Sequence, residues 1–249
     1  FTALQSAQDV LVEAKEKAEQ ANRLRGEFLA NMSHEIRTPM NGVVGMTQMA
    51  LQTNLDAQQR EFISLANVSA KHLMSVINDI LDFSKIEAGH LSLHPIACSP
   101  WDVVVQTVRS FQSEANDKGL ALSIDNGGQP LPNVMLDPVR LRQILTNLIG
   151  NAIKFTEQGQ VSLYFRQSSD AKFLRFFEFS ICDTGIGLDE NSLGKLFQRF
   201  YQVDSGLSRK FSGVGLGLEI SLSLARLLGG DIHVQSQPGQ GSNFTVRLP

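Results

Sequence analysis

Apolar and small residues recur at alternating spacings of three and four along the start of the chain. Leu4, Ala7, Leu11, Ala14, Ala18, Ala21, Arg25, Phe28 and Met32 hold these positions. The repeat predicts a helix with a heptad seam that needs a partner, and its alanines make the seam shallow. A polar break at Gln52 to Asp56 ends that helix, and Asp56 with Gln59 three residues on forms a capping-box pattern for the next. Phe62, Ala66, Ser69, Leu73, Ile77, Ile80 and Ser84 carry a second seam, and Gly89 supplies a stop. Residues 1–90 therefore read as a helical hairpin, opened by a coiled-coil segment over 1–26. Two such hairpins from two chains would make a four-helix bundle, so the expected assembly is a homodimer.

From about Leu91 the pattern changes. Ser99-Pro100 predicts a helix running to about Asp117, and Asp137-Pro138 another running to about Ile153. Strands are expected near Leu120–Asp125, Gln160–Arg166 and Phe173–Cys182. A helix follows over about Asn191–Phe197, then a polar, turn-rich loop at Ser205–Gly213. A last helix spans roughly Leu216–Leu228, and a hairpin closes the chain at Asp231–Gln235 and Asn243–Leu248. Helices mixed with mostly antiparallel strands give an α+β two-layer sandwich over residues 95–249.

Bulk composition narrows the function classes. The 249 residues carry 22 Lys+Arg against 25 Asp+Glu, a net charge of −3, with no long basic run, which argues against nucleic acid as a partner. Cys98 and Cys182 lie far apart and form no C-x-x-C pair, so neither zinc nor a disulfide framework is indicated. No stretch approaches the 18 consecutive apolar residues of a membrane span. The chain opens inside a helical pattern, as a piece of a longer protein would.

Three stretches carry candidate chemistry. Asn147 and Asn151 are four apart on one helix and share a face, with Lys154 within the next turn. An amide oxygen there could ligate Mg²⁺ and the lysine could meet phosphate, or the face could simply be solvated. The stretch "DTGIGL", Asp183 to Leu188, ends a strand with an acid and two glycines, which admits a ligand close to the backbone or merely closes a turn. "SGVGLGLEI", Ser212 to Ile220, sets alternating glycines before an apolar helix, an arrangement that suits phosphate. It is not the dinucleotide fingerprint, because a polar loop and not a strand precedes it.

The order of motifs is more specific than any one of them. "HEIRTP", "NLIGNAIKFT", "DTGIGL", "LFQRF", "GVGLGL" and "GQGSNF" follow one another over nearly the whole chain. This series resembles the histidine kinase core, and "FLANMSHEIRTPMNG" looks most like the hybrid sensor kinases of bacteria. The resemblance implies a phosphoacceptor hairpin followed by an ATP-binding domain of the histidine kinase ATPase (Bergerat) type. It places Asn147, Asn151, Lys154, Asp183, Gly185, Gly187, Phe197, Phe200, Gly213, Gly215 and Gly217 at the nucleotide site. It further implies that Asp183 bonds the adenine amino group, that Asn151 holds Mg²⁺, and that Phe200–Gly213 forms a mobile lid over ATP. The chain departs from the pattern in two places. Ser212-Gly213-Val214-Gly215 stands where hybrid kinases often have Gly-Gly-Thr-Gly, and Glu219 stands where a small residue is commoner.

His34 is then the expected phosphoacceptor. A histidine with an ordinary pKa of about 6.5 is largely neutral at neutral pH, as a nucleophile must be. Glu35 beside it can take the proton from the other ring nitrogen or fix the tautomer. Pro39 frees a carbonyl one turn back and permits a bend. The pattern H-E-x-x-T, matched by His34, Glu35 and Thr38, implies a phosphatase role for Thr38. The zinc-protease pattern H-E-x-x-H fails, because residue 38 is threonine. Autophosphorylation on His34 and transfer to an aspartate of a response-regulator receiver domain are expected, from the cytoplasmic portion of an inner-membrane sensor whose membrane part lies outside this chain. Two rivals remain in view: a degenerate kinase that dimerises without phosphorylating, and a gyrase-type or mismatch-repair-type ATPase, which has no phosphoacceptor hairpin.

Overall fold

A computed structural model gives the architecture and describes residues 5, 15, 20, 32, 35–128, 132–169, 175–202 and 215–249. The chain divides into two compact units, Phe1–Leu91 and Ser92–Pro249. Most of the first seam, His34, Ser205–Gly213 and Val214 lie outside the described residues.

In the first unit, helix α1 is described over 35–51 and continues through Pro39 without interruption. Helix α2 (Ala57–Glu87) starts with the capping box that Asp56 and Gln59 were expected to form. The Gln59 amide donates to Asp56 Oδ1 at 2.8 Å and the Asp56 amide to Gln59 Oε1 at 3.2 Å. Gly89 takes φ +68 just past the helix, the left-handed stop glycine adopts at least cost. The two helices are tied at both levels. Asn67 of α2 donates to the Val44 carbonyl at 3.2 Å and to Thr47 Oγ1 at 2.6 Å, and Arg37 donates to Asn78 Oδ1 at 3.3 Å. Asn67, Ala70 and Leu81 are the buried residues of α2. The second seam faces elsewhere: Phe62, Leu73 and Ile80 are 60%, 46% and 36% exposed.

The second unit is a five-stranded sheet in the order β2-β4-β5-β7-β6, with a separate two-stranded ladder of β1 and β3. The strands are β1 (Ile96–Cys98), β2 (Ala121–Asp125), β3 (Val134–Leu136), β4 (Gln160–Ser169), β5 (Arg175–Asp183), β6 (Asp231–Gln237) and β7 (Gly241–Leu248). Among the described strands only β2 and β4 pair in parallel. The helices are α3 (Pro100–Ser110), α4 (Gln112–Asp117), α5 (Pro138–Phe155), α6 (Glu190–Lys195) and α7 (Gly217–Leu227). Helix α5 packs between α3 and α7 and against the sheet.

Alternation along the strands sets the core. Val161, Leu163 and Phe165 of β4 and Phe177, Phe179 and Ile181 of β5 are buried. Phe165 stacks on Phe179 with ring centroids 4.6 Å apart, and Trp101 of α3 lies parallel to it at 6.3 Å. Asp137 caps α5 by accepting from the Val139 and Arg140 amides at 3.0 and 3.1 Å, as the Asp-Pro start predicts. One expectation is corrected. The helix from Pro100 does not run unbroken to Asp117 but stops at Phe111 and restarts. The ladder of β1 and β3 went unread, because three-residue strands are too short to show alternation.

Candidate nucleotide site

Helix α5 supplies the first wall. Asn151 Nδ2 donates to Asn147 Oδ1 at 3.4 Å, so the two amides do share a face. Asn147 Nδ2 in turn donates to Ser221 Oγ of α7 at 2.8 Å. Gly217 opens α7 so close to α5 that a side-chain carbon there would overlap Asn147 Oδ1. Helices α5 and α7 are thus joined through one amide, at the end where α7 exposes unbonded backbone N–H groups. Lys154 lies half-buried, and burial lowers its pKa. Its Nζ stands 5.1 Å from the centroid of the Phe155 ring. Lys118 Nζ closes the C-terminus of α5 by donating to the carbonyls of Ile153 and Lys154 at 2.9 and 3.3 Å.

The end of β5 supplies the second wall. Asp183 Oδ1 accepts from the Gly185 amide at 2.8 Å and from the Ser242 amide at 3.3 Å. Burial raises the Asp183 pKa, while these two backbone bonds favour the carboxylate and act against the rise. Gly185 sits against the Phe155 carbonyl, where a side chain would strike backbone. Gly187 has φ +66 and passes directly over the Gln237 carbonyl. Both glycines therefore serve close approach as well as turning. The loop is fastened to the β6–β7 hairpin by Leu188 N–H to Ser236 Oγ at 2.8 Å and Gly239 N–H to the Ile186 carbonyl at 2.7 Å.

The third part follows α6. Phe197 is half-buried. Phe200 is exposed and adopts φ +60, the one non-glycine residue in the left-handed region among the described residues. Its amide donates to the Gly215 carbonyl at 3.2 Å. Gly215, at φ +73, lies against the backbone of Phe200 and Tyr201.

The structure therefore links Asn147, Asn151 and Gly217 across α5 and α7, sets Asp183, Gly185 and Gly187 at the end of β5 with Gly185 against the last residue of α5, and joins Phe200 to Gly215. Gly213 lies outside the described residues. Glu35 and Thr38 are exposed on α1 in the other unit. Ser221 and Ser242, which hold Asn147 and Asp183, were not singled out from the sequence. Ser221 did carry a signal, a hydroxyl inside the apolar run of α7. A surface cavity of about 640 Å³ adjoins the site at Asp183 but is otherwise lined by residues such as Cys182, Gln235, Gln240 and Asn243, with none from α5 or α7.

An asparagine-faced helix, an acid at a strand end and two glycine-rich turns packed into one α/β sandwich define an ATP-binding domain of the kind that gyrase B and histidine kinases share. Residues 136–249 match the model of the "Histidine kinase-, DNA gyrase B-, and HSP90-like ATPase", and residues 24–89 match the "His Kinase A (phospho-acceptor) domain". The chain belongs to the histidine kinases and carries both domains of their core.

Relatives agree. The signal transduction histidine-protein kinase BarA of Escherichia coli is 45% identical over 235 residues, covering 94% of this chain and 26% of BarA. The autoinducer 2 sensor kinase/phosphatase LuxQ of Vibrio cholerae is 39% identical over 249 residues, covering all of this chain and 29% of LuxQ. The crystal structure of full-length ShkA in complex with AMPPNP superposes with a TM-score of 0.72 at 36% identity, covering 90% of this chain and 45% of that one. The chain spans about a quarter of the length of the curated relatives named here. No helix among the described residues is long and apolar enough to cross a membrane.

Proposed function

We propose that this chain is the catalytic core of a hybrid sensor histidine kinase, which transfers the γ-phosphoryl group of Mg·ATP to His34. The reading is supported by two links: Asn147 of α5, bonded to Asn151, reaches Ser221 and Gly217 of α7, and Gly185, bonded to Asp183 at the end of β5, lies against the Phe155 carbonyl that ends α5. The donor set fits nucleotide and metal. Two glycines stand where a Cβ would fill the space, and Asn151 uses its Nδ2 toward Asn147, which leaves the amide oxygen to face a cation. No cluster of three acidic, histidine or cysteine ligands occurs among the described residues, and Mg²⁺ held by one protein oxygen and substrate phosphates needs none. A bound Mg²⁺ would neutralise charge on the phosphate oxygens during transfer.

In this reading the carboxylate of Asp183 accepts from the adenine amino group, and the Gly185 and Ser242 amides favour its ionised form against the effect of burial. Lys154 faces the phosphates, and Gly213, Gly215 and Gly217 let backbone N–H groups approach them. A neutral ring nitrogen of His34 attacks the γ-phosphorus. The N–P bond forms as the bond to ADP breaks, and the proton on the other ring nitrogen passes to Glu35. The phosphoryl group then moves to an aspartate of a receiver domain. Thr38, four residues past His34 in sequence, orients water for the reverse, dephosphorylating activity. The exposed seam of Phe62, Leu73 and Ile80 is covered by the same seam of a second copy, which makes the active form a homodimer. The whole protein is a membrane-anchored sensor with this core in the cytoplasm.

Incubation with γ-labelled ATP tests the proposal. Label is expected on His34, stable to base and lost in acid, because a protonated phosphoramidate hydrolyses. Label retained by His34→Gln would overturn the assignment. Bound nucleotide without any label would leave the ATP site standing and remove the kinase activity.

A further inference from the structure

Glu219 departs from the family pattern, and the structure gives it a partner. It lies in the first turn of α7, two residues past Gly217, with its side chain 16% exposed. Its Oε1 stands 3.7 Å from Nε of Arg199, whose side chain is 52% exposed. Arg199 immediately precedes Phe200, and Phe200 is bonded through its amide to Gly215. Two cross-links, one ionic and one between backbones, thus join the 196–201 turn to the start of α7.

A carboxylate in the first turn of a helix stabilises the helix, because it meets the positive end of the macrodipole. The same position is unfavourable when that helix end is also to receive polyphosphate, since the carboxylate and the anion compete for one field. The Arg199 guanidinium is placed to cancel that charge. An ion pair with one half-exposed member contributes little to stability. Its consequence therefore falls on the local field and on the position of the 196–201 turn. Phe200, a bulky residue at positive φ, is held in a conformation that persists only where neighbours over-determine it, and the pair is one such constraint.

We infer that Glu219 and Arg199 form a coupled positioning pair, in which Arg199 shields the α7 N-terminus from the Glu219 carboxylate and so permits polyphosphate to bind there. This rests on the nucleotide reading of the site. Glu219→Ala alone removes the repulsion and leaves the Arg199 guanidinium in place, and ATP affinity changes by less than about threefold. Arg199→Ala alone leaves an unshielded carboxylate beside the phosphates and weakens ATP about tenfold. The double variant returns to within about threefold of wild type. Adenosine, which brings no phosphate charge, binds all four proteins alike.

The experiment is calorimetric titration of the full chain and the three variants with ATP and with adenosine, at low and at moderate salt. The expected signature is rescue of Arg199→Ala by Glu219→Ala, for ATP only, with the Arg199→Ala defect shrinking as salt rises. A double variant as weak as Arg199→Ala would overturn the pair, because Arg199 would then act independently of Glu219. Equal loss of adenosine and ATP would also overturn it, because the defect would be structural. If wild type binds neither ligand, it is the nucleotide reading that fails, an outcome distinct from either.

Discussion

Asn147 of α5 donates to Ser221 of α7 at 2.8 Å, and Gly217 leaves open the space that the Asn147 amide oxygen occupies. One side chain thus fixes both its own direction and the distance between two walls of the site. Gly217→Ala should uncouple site from fold. Alanine favours a helical position over glycine by up to about 1 kcal/mol, so intrinsic stability should not suffer. The new carbon nonetheless overlaps Asn147 Oδ1 and turns the amide away. Nucleotide affinity is expected to fall about tenfold, while Tm moves by no more than about 4 °C. Fluorescent-nucleotide titration beside a thermal melt checks this, and unchanged affinity would remove Asn147 from the site.

Gly187 is a different case, because what it approaches is backbone. At φ +66 it runs over the Gln237 carbonyl, while Leu188 and Gly239 bond the same loop to the β6–β7 hairpin. A carbonyl in a ladder cannot step aside as a side-chain end can. Gly187→Ala should therefore cost roughly 2 kcal/mol or more, from strain at positive φ plus displacement of the hairpin tip. A Tm lowered by roughly 4–8 °C in the second unit is the expected result. A variant that melts with wild type would show that the loop has slack.

These two glycines mark the boundary of what the sequence makes legible. The motif order pointed to Gly187 and Gly217 as site positions, but not to Gln237 or Asn147 as what each one approaches, since both contacts are far apart in sequence. Local signals did well where local chemistry decides. The Asp56–Gln59 box, the Asp137-Pro138 start and the Gly89 stop all form as their residue types imply. The break at Phe111 escaped notice because no glycine or proline marks it. The Phe111 ring instead lies against Gly150 of α5, where a side chain would come within 3.7 Å of it, and that is a tertiary fact. Parallel pairing of β2 with β4 is likewise settled by how the chain returns across the sheet.

Within the hairpin, Asn67 is the test of how α1 and α2 are joined. It is 5% exposed and donates to both the Val44 carbonyl and Thr47 Oγ1. Asn67→Ala removes both bonds, vacates volume and leaves the Val44 carbonyl to partners within α1, among them the Thr47 hydroxyl. A loss of about 1–3 kcal/mol in the first unit is expected. Thr47→Val should cost less, since the threonine hydroxyl also bonds within its own helix, to the carbonyls of Val43 and Val44 at 2.8 and 3.0 Å. The two changes share one contact, so their combined loss should fall short of the sum. Chemical denaturation of the single and double variants reads this directly, and strict additivity would refute the shared bond.

Asp79 gives the hairpin a dependence on pH whose sign can be stated in advance. Burial pushes its carboxyl from 3.8 up to about 6; Asp82 one turn on adds to the rise, and His72 opposes it. The folded chain therefore holds this proton more tightly than the unfolded chain does. Between about 3.8 and 6 the folded state binds more protons, so stability falls as pH rises through that window. Below it both states are protonated and no penalty exists; above it the cost of the buried charge is fully present. Asp79→Asn keeps the shape and removes the titration. At pH 7 the variant is expected to be more stable by about 1–2 kcal/mol, a figure reduced from the full shift because the side chain is partly solvated. The gain should shrink as pH is lowered through the window and vanish near pH 4, a value on the order of the unperturbed carboxyl. Denaturation curves of both proteins at half-unit steps from pH 4 to 7 measure the difference, in which contributions common to both largely cancel. A gain that stays constant with pH would assign the effect to packing and take the proton out of the account.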